Sequence, residues 1–304
     1  MWAYEDSPAA LRDALRLSRA MTFKAAVADL ALGGGKGVIM LPPFARLPSE
    51  RRHAALLDFA DTVEELQGRY ITAEDVGTSS RDMAVIAQRT RHVAGLARGR
   101  GGSGDPSTFT ALGVEYALRA CCERVFSSAS LKGRSACVLG LGHVGSRVAR
   151  RLARAGVKLL LGDVDEAKRA LAARLRARWI SPDRALEAEV DMLVPCALGG
   201  ILNEETVPQL RAAIVAGAAN NQLATDEVAG LLAARGILWA PDFVVNAGGL
   251  INIAEELAGY DPVAARRRTR GIADTLRQIF DEAAASGATP LAAAMDIARR
   301  RLSP

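Results

Sequence analysis

SACVLGLGHVG, residues 135–145, decides how this chain folds. Ala136 to Leu139 are apolar without alternation, the pattern of a strand buried on both faces. Gly140, Gly142 and Gly145 follow at GxGxxG spacing, and Val148, Leu152 and Ala155 then recur at helical intervals. Glycines so placed permit a tight turn and let the backbone, with His143 and Val144 between them, reach a pyrophosphate at a helix N-terminus. The next apolar run, VKLLLGDVD, places Asp163 23 residues past Gly140, where an acid holds a ribose diol. Strand, glycines, helix and acid together are far more specific than the glycines alone. Asp163 would repel a 2′-phosphate and Val164 offers no cation, so the pattern predicts NAD rather than NADP. His143 suits pyrophosphate contact or exposure better than catalysis.

Working outward, the alternation continues through VDMLVPCAL, AAIVAGAANN and GILWAPDFV, with helical stretches between them. That succession predicts a doubly wound parallel sheet of Rossmann type, an α/β fold. The tail from 261 to 301 reads as helix. Upstream, RGRGGSGD at 98–105 is the best linker. The expected organisation is therefore an N-terminal α/β domain over 1–105 and a nucleotide domain over 106–285, with a last helix, 286–304, packing back on the first domain. In the N-terminal domain a helix starts at Ser7-Pro8 with Ser7 as its cap. A short strand over Val38–Leu41 ends at Pro42-Pro43, a helix covers 49–67, and Tyr70–Ala73 forms another strand.

The chain has 304 residues, half of them apolar, enough for two substantial cores. No apolar run reaches bilayer length, and the acidic first ten residues lack a signal-peptide pattern, so a cytoplasmic enzyme is expected. Net charge is +5, but the arginines are spread over helix faces. Arg266, Arg267, Arg268 and Arg270 cluster without aromatics for stacking, which argues against nucleic acid. Cys121, Cys122, Cys137 and Cys196 lack CxxC spacing, so neither disulfides nor a metal centre is expected.

Five of the 39 basic residues are lysines, and Lys24 and Lys36 share one short stretch, MTFKAAVADLALGGGKG. Where arginine serves generally, a lysine in an apolar, glycine-rich setting points to proton transfer, because an ammonium can lose its proton when partly buried. A phosphate-binding P-loop is excluded, since Leu30 and Gly37 stand where glycine and Ser/Thr are required.

With these blocks, the chain resembles the Glu/Leu/Phe/Val amino acid dehydrogenases, most closely the leucine and valine members. The resemblance runs through MTFKAAVADLALGGGKG, YITAEDVGT, GGSGDPSTFTALGV, GLGHVG, PCALGG, AANNQL and VVNAGGLINIAEEL. It implies that Lys24 holds the substrate carboxylate, that Lys36 is the general base activating water, and that Asp75 assists proton transfer at the amino group. Glu74 is the neighbouring acid, but adjacent residues of an extended segment point oppositely. The resemblance also implies Thr110 and Asn246 at the nicotinamide carboxamide, with Cys196, Ala197, Ala219 and Asn220 lining the cofactor. Ala73, Leu250 and Ile253 would surround an apolar substrate side chain. The implied reaction converts an L-amino acid and NAD to a 2-oxo acid, ammonium and NADH in a homo-oligomer. A lysine base near neutral pH needs its pKa lowered from about 10.4 to roughly 7–8, a change worth about 4 kcal/mol. Desolvation and the Lys24 charge push that way, and Asp75 opposes them.

Family members carry roughly forty residues ahead of the MW-x-Y motif that opens this chain; without them the first domain is expected to hold three strands and an exposed edge. Two other readings stay open at this point: a catalytically impaired NAD-binding homologue, and a related imine or condensation enzyme acting on a 2-oxo acid.

Overall fold

A computed structural model of the chain describes residues 1–41 and 47–303. Their contacts divide into two compact units, Met1–Pro106 with Leu250–Ala265, and Ser107–Gly249 with Arg266–Pro304.

In the first unit, strands β1 (Trp2–Ala3) and β2 (Met40–Leu41) form a parallel pair. The third expected strand reduces to a single bridge between Thr72 and Val93. Tyr70 and Ala73 flank it but follow a loop shaped by side-chain contacts rather than a ladder. Helix Ser7–Val27 is capped one residue earlier than expected: Asp6 is the cap, its carboxylate accepting the Ala9 N–H, and Ser7 and Pro8 are the first helical residues. Helices Ser49–Glu65 and Ser80–Ile86 bury Leu56, Ala60, Met83 and Ile86 against one another. The turn expected at Pro42-Pro43 lies outside the described residues.

The second unit is built on a six-stranded, all-parallel sheet. Its strands are β3 (Ser135–Leu139), β4 (Lys158–Gly162), β5 (Arg178–Trp179), β6 (Met192–Pro195), β7 (Ile214–Val215) and β8 (Leu238–Trp239). Their order across the sheet is 5-4-3-6-7-8, so the chain winds outward from β3 to one edge and returns to its other side at β6. The crevice outside the carboxyl ends of β3 and β6 is thus the topological switch point, where such sheets take ligands. The short edge strand β5 has no apolar run and was invisible to periodicity.

Two domain expectations are corrected. Residues 250–265 join the first unit. The physical tie is Glu256, whose carboxylate accepts the N–H of Gly95 at 2.9 Å and that of Ser103 at 2.8 Å. The last helix, Pro290–Leu302, expected to pack back on the first domain, is grouped with the sheet unit. Leu291 packs on the sheet core, and Arg300 pairs with Glu282 of helix Pro262–Ser286 at 2.7 Å.

Candidate active site

The nucleotide half begins where β3 ends. Gly140 has φ +94°, a conformation that disfavours any side chain, and its N–H donates to Gly162 O at 2.8 Å. A Cβ on Gly145 would strike the Gly140 carbonyl, so helix His143–Arg154 can approach the strand only with glycine there. Gly142 faces open space on its Cβ side, leaving room for a phosphate against the backbone. His143 opens the helix and is exposed, with Val144 half-buried behind it. Asp163, at the end of β4, accepts from the Leu141 N–H of the glycine turn and from the Asp165 N–H at 2.8 Å. Its carboxylate is therefore held beside the turn.

Across the switch point, the Cys196 N–H donates to Leu139 O at 2.7 Å, which puts Cys196 and Ala197 next to the glycine turn. Burial pushes the Cys196 thiol up to about 12, which disfavours the thiolate that a nucleophile would need. After β7, Ala219 is buried and Asn220 exposed. Asn246 Nδ2 donates to Asn220 Oδ1 at 2.8 Å and to Ala218 O at 3.2 Å. Asn246 Oδ1 is buried without a hydrogen-bond partner. A buried acceptor without a donor costs about 1–3 kcal/mol unless a ligand supplies one, and a carboxamide NH₂ is such a donor. The open backbone at Gly142 and this acceptor both fit a nicotinamide dinucleotide. Thr110 lies half-buried in the first turn of helix Ser107–Phe126.

The lysine half lies in the first unit. The GGGKG loop is glycine-rich because it threads between side chains. A Cβ on Gly34 would collide with Thr22; one on Gly35 would sit 2.7 Å from the Tyr70 ring, and one on Gly37 2.6 Å from the Phe59 ring. Ser18 Oγ donates to Gly34 O at 3.0 Å and the Gly37 N–H to the Tyr70 hydroxyl at 2.9 Å. The loop is thereby fixed on both sides of Lys36. Lys36 Nζ touches the Asp75 carboxylate. The lysine side chain is only 19% exposed while that of Asp75 is 54% exposed. Burial lowers the Lys36 pKa, and the negative charge of Asp13 opposes this. The two face a recess of about 410 Å³, part of it open to solvent, lined also by Ala73, Ile39, Phe59 and Met83.

Lys24 sits half-buried in the last turn of helix Ser7–Val27, two residues beyond the Thr22 that the loop packs on. Leu250 and Ile253, on helix Gly248–Ala254, are half-buried and belong to this same unit. Sequence reasoning missed Asp13, whose carboxylate accepts from the Tyr4 hydroxyl at 2.7 Å, and Tyr70. Nothing in their local spacing signals these roles, since only the tertiary fold brings them to the loop.

Comparison with known proteins shows the family. The family model described as Glu/Leu/Phe/Val dehydrogenase, dimerisation domain, matches residues 4–92, and that for Glutamate/Leucine/Phenylalanine/Valine dehydrogenase matches 158–289. A leucine dehydrogenase from Thermoactinomyces intermedius is 40% identical, covering 99% of this chain and 82% of its own. A phenylalanine dehydrogenase from Lysinibacillus sphaericus is 39% identical over 97% of this chain and 78% of its own. The crystal structure of L-tryptophan dehydrogenase from Nostoc punctiforme superposes with a TM-score of 0.86 at 40% identity, over 98% of this chain and 85% of that one.

Proposed function

The chain belongs to the Glu/Leu/Phe/Val dehydrogenase family, and on that premise we propose that it oxidatively deaminates a branched-chain or other apolar L-amino acid, using NAD, to give the 2-oxo acid, ammonium and NADH. The observation that carries the proposal is the lysine whose charge is disfavoured by burial, in contact with a carboxylate and carried on a loop that hydrogen-bonds to Ser18 and Tyr70.

In this reading Lys24 binds the substrate carboxylate. Asp75 takes and returns a proton at the substrate amino group. Lys36, once deprotonated, takes a proton from water as that water attacks the imine carbon, and gives it up as ammonium leaves. Ala73, Leu250 and Ile253 accept an uncharged side chain, and none of them offers a cation to a second carboxylate. That supports an apolar substrate over glutamate.

On the nucleotide side, Gly140, Gly142 and Gly145 with His143 and Val144 hold the pyrophosphate, Asp163 the adenosine ribose, and Thr110 and Asn246 the carboxamide. Cys196, Ala197, Ala219 and Asn220 line the remaining surface. When bound, the nicotinamide supplies the hydride acceptor. Asp163, fixed by two backbone donors and followed by the exposed Val164, supports NAD over NADP. Homo-oligomer formation is part of the same reading, supported by the match of residues 4–92 to a dimerisation domain.

The test is NADH formation at 340 nm with leucine, valine, isoleucine, phenylalanine and tryptophan. Turnover of at least one, with NADP much poorer than NAD, is expected. A folded protein that turns over none of them would defeat the proposal.

A further inference from the structure

The AANNQL block contains a residue that the proposed chemistry leaves unused. Gln222 is fully buried, and both ends of its amide are engaged. Its Nε2 donates to Gly217 O at 3.0 Å and to Ala219 O at 3.1 Å. Its Oε1 accepts from the indole N–H of Trp239, in β8, at 3.1 Å. The Gln222 backbone N–H donates to the Asp242 carboxylate at 2.7 Å, and the Asp242 carbonyl accepts the Asn246 N–H at 2.9 Å.

These bonds bracket the place where Asn246 is anchored. Ala218 O, which accepts from Asn246 Nδ2, lies between the two carbonyls that Gln222 holds. A backbone carbonyl can only accept, so its position forces Nδ2 toward it and turns Oδ1 the other way, as the unpartnered acceptor. Were the 217–219 turn to relax, Ala218 O would shift and the Asn246 amide could rotate. We infer that Gln222 is a positioning residue of the cofactor site: without touching the ligand, it fixes the loop that aims Asn246 Oδ1 at the nicotinamide carboxamide.

The inference rests on the NAD reading given above, and the experiment separates the two. Binding of NADH and of ADP-ribose, which lacks the nicotinamide, is measured by calorimetry on the whole chain. The wild-type protein is expected to bind NADH more tightly than ADP-ribose. Gln222→Met keeps the side-chain length but removes the three side-chain hydrogen bonds. It is expected to weaken NADH about tenfold or more while ADP-ribose changes less than about twofold. Equal loss for both ligands, or no loss for NADH, would overturn the inference. If Gln222→Met shows no cooperative thermal transition, Trp239→Phe serves instead: it frees Oε1 alone and is expected to weaken NADH about threefold with ADP-ribose unchanged. An unchanged NADH affinity there overturns the inference equally. A wild-type chain that binds neither ligand would defeat the cofactor reading itself.

Discussion

Lys36 concentrates the chemistry because its surroundings disfavour its charge. Burial lowers its pKa below the ordinary 10.5, and Asp13 works against that. The Asp75 carboxylate in contact with Nζ is a second negative charge that favours the ammonium. Two consequences have definite signs. The free-base fraction grows with pH, so kcat/KM for deamination should rise through a midpoint below 10.5 and then level off. Asp75→Asn, which removes one of the charges favouring the ammonium, should move that midpoint downward. A pH–rate profile of both proteins checks this, and an unmoved midpoint in Asp75→Asn would detach the titration from the pair. For stability the sign follows from the same shift: the unfolded chain holds the lysine proton more tightly, so this group's contribution to stability rises with pH from its folded value up to 10.5.

Among the elements, the short helix Ser80–Ile86 rests on one carboxylate. Asp82 accepts the Ser79 N–H and hydroxyl, each at 2.8 Å, and two bonds from the Arg52 guanidinium at 3.1 and 2.9 Å. Burial alone would raise its pKa, but the Arg52 and Ser79 hydrogen bonds prevail and hold it below 3.8. Stability from this group is present above 3.8 and is lost as pH falls through the lower folded value. Asp82→Asn should cost about 1–3 kcal/mol in urea unfolding at pH 7 and clearly less near pH 2. A pH-independent cost would mean the charge is immaterial. The nucleotide elements were legible in the sequence because buried parallel strands are continuous apolar runs and the glycine turn has a fixed grammar. Strand β5 and the Asp6 cap were not, because a two-residue ladder leaves no period and Asp6 and Ser7 are equally good caps locally. At the site, the lysine and carboxylate types were readable, whereas the reason for the glycines beside Lys36 was not. It depends on Thr22, Tyr70 and Phe59, which converge from two helices and a loop.

At the scale of the whole molecule, each unit carries half of the proposed chemistry: the lysines and Asp75 in one, the fingerprint and Asn246 in the other. The first unit also leaves apolar side chains in solvent, among them Leu11 and Leu15 one turn apart on helix Ser7–Val27, 61% and 63% exposed. With residues 4–92 matching a dimerisation domain, this face is expected to pair with another copy of the chain. Leu11→Asp combined with Leu15→Asp should then shift the sedimentation coefficient toward that of a monomer. An unchanged coefficient would locate the contact elsewhere. The account as a whole stands on the amine at position 36, and Lys36→Ala interrogates it most directly when turnover and NADH affinity are measured on the same sample. A loss of kcat of about 10²-fold or more with NADH binding unchanged is predicted; a variant that still turns over within about tenfold of the wild-type rate would contradict it.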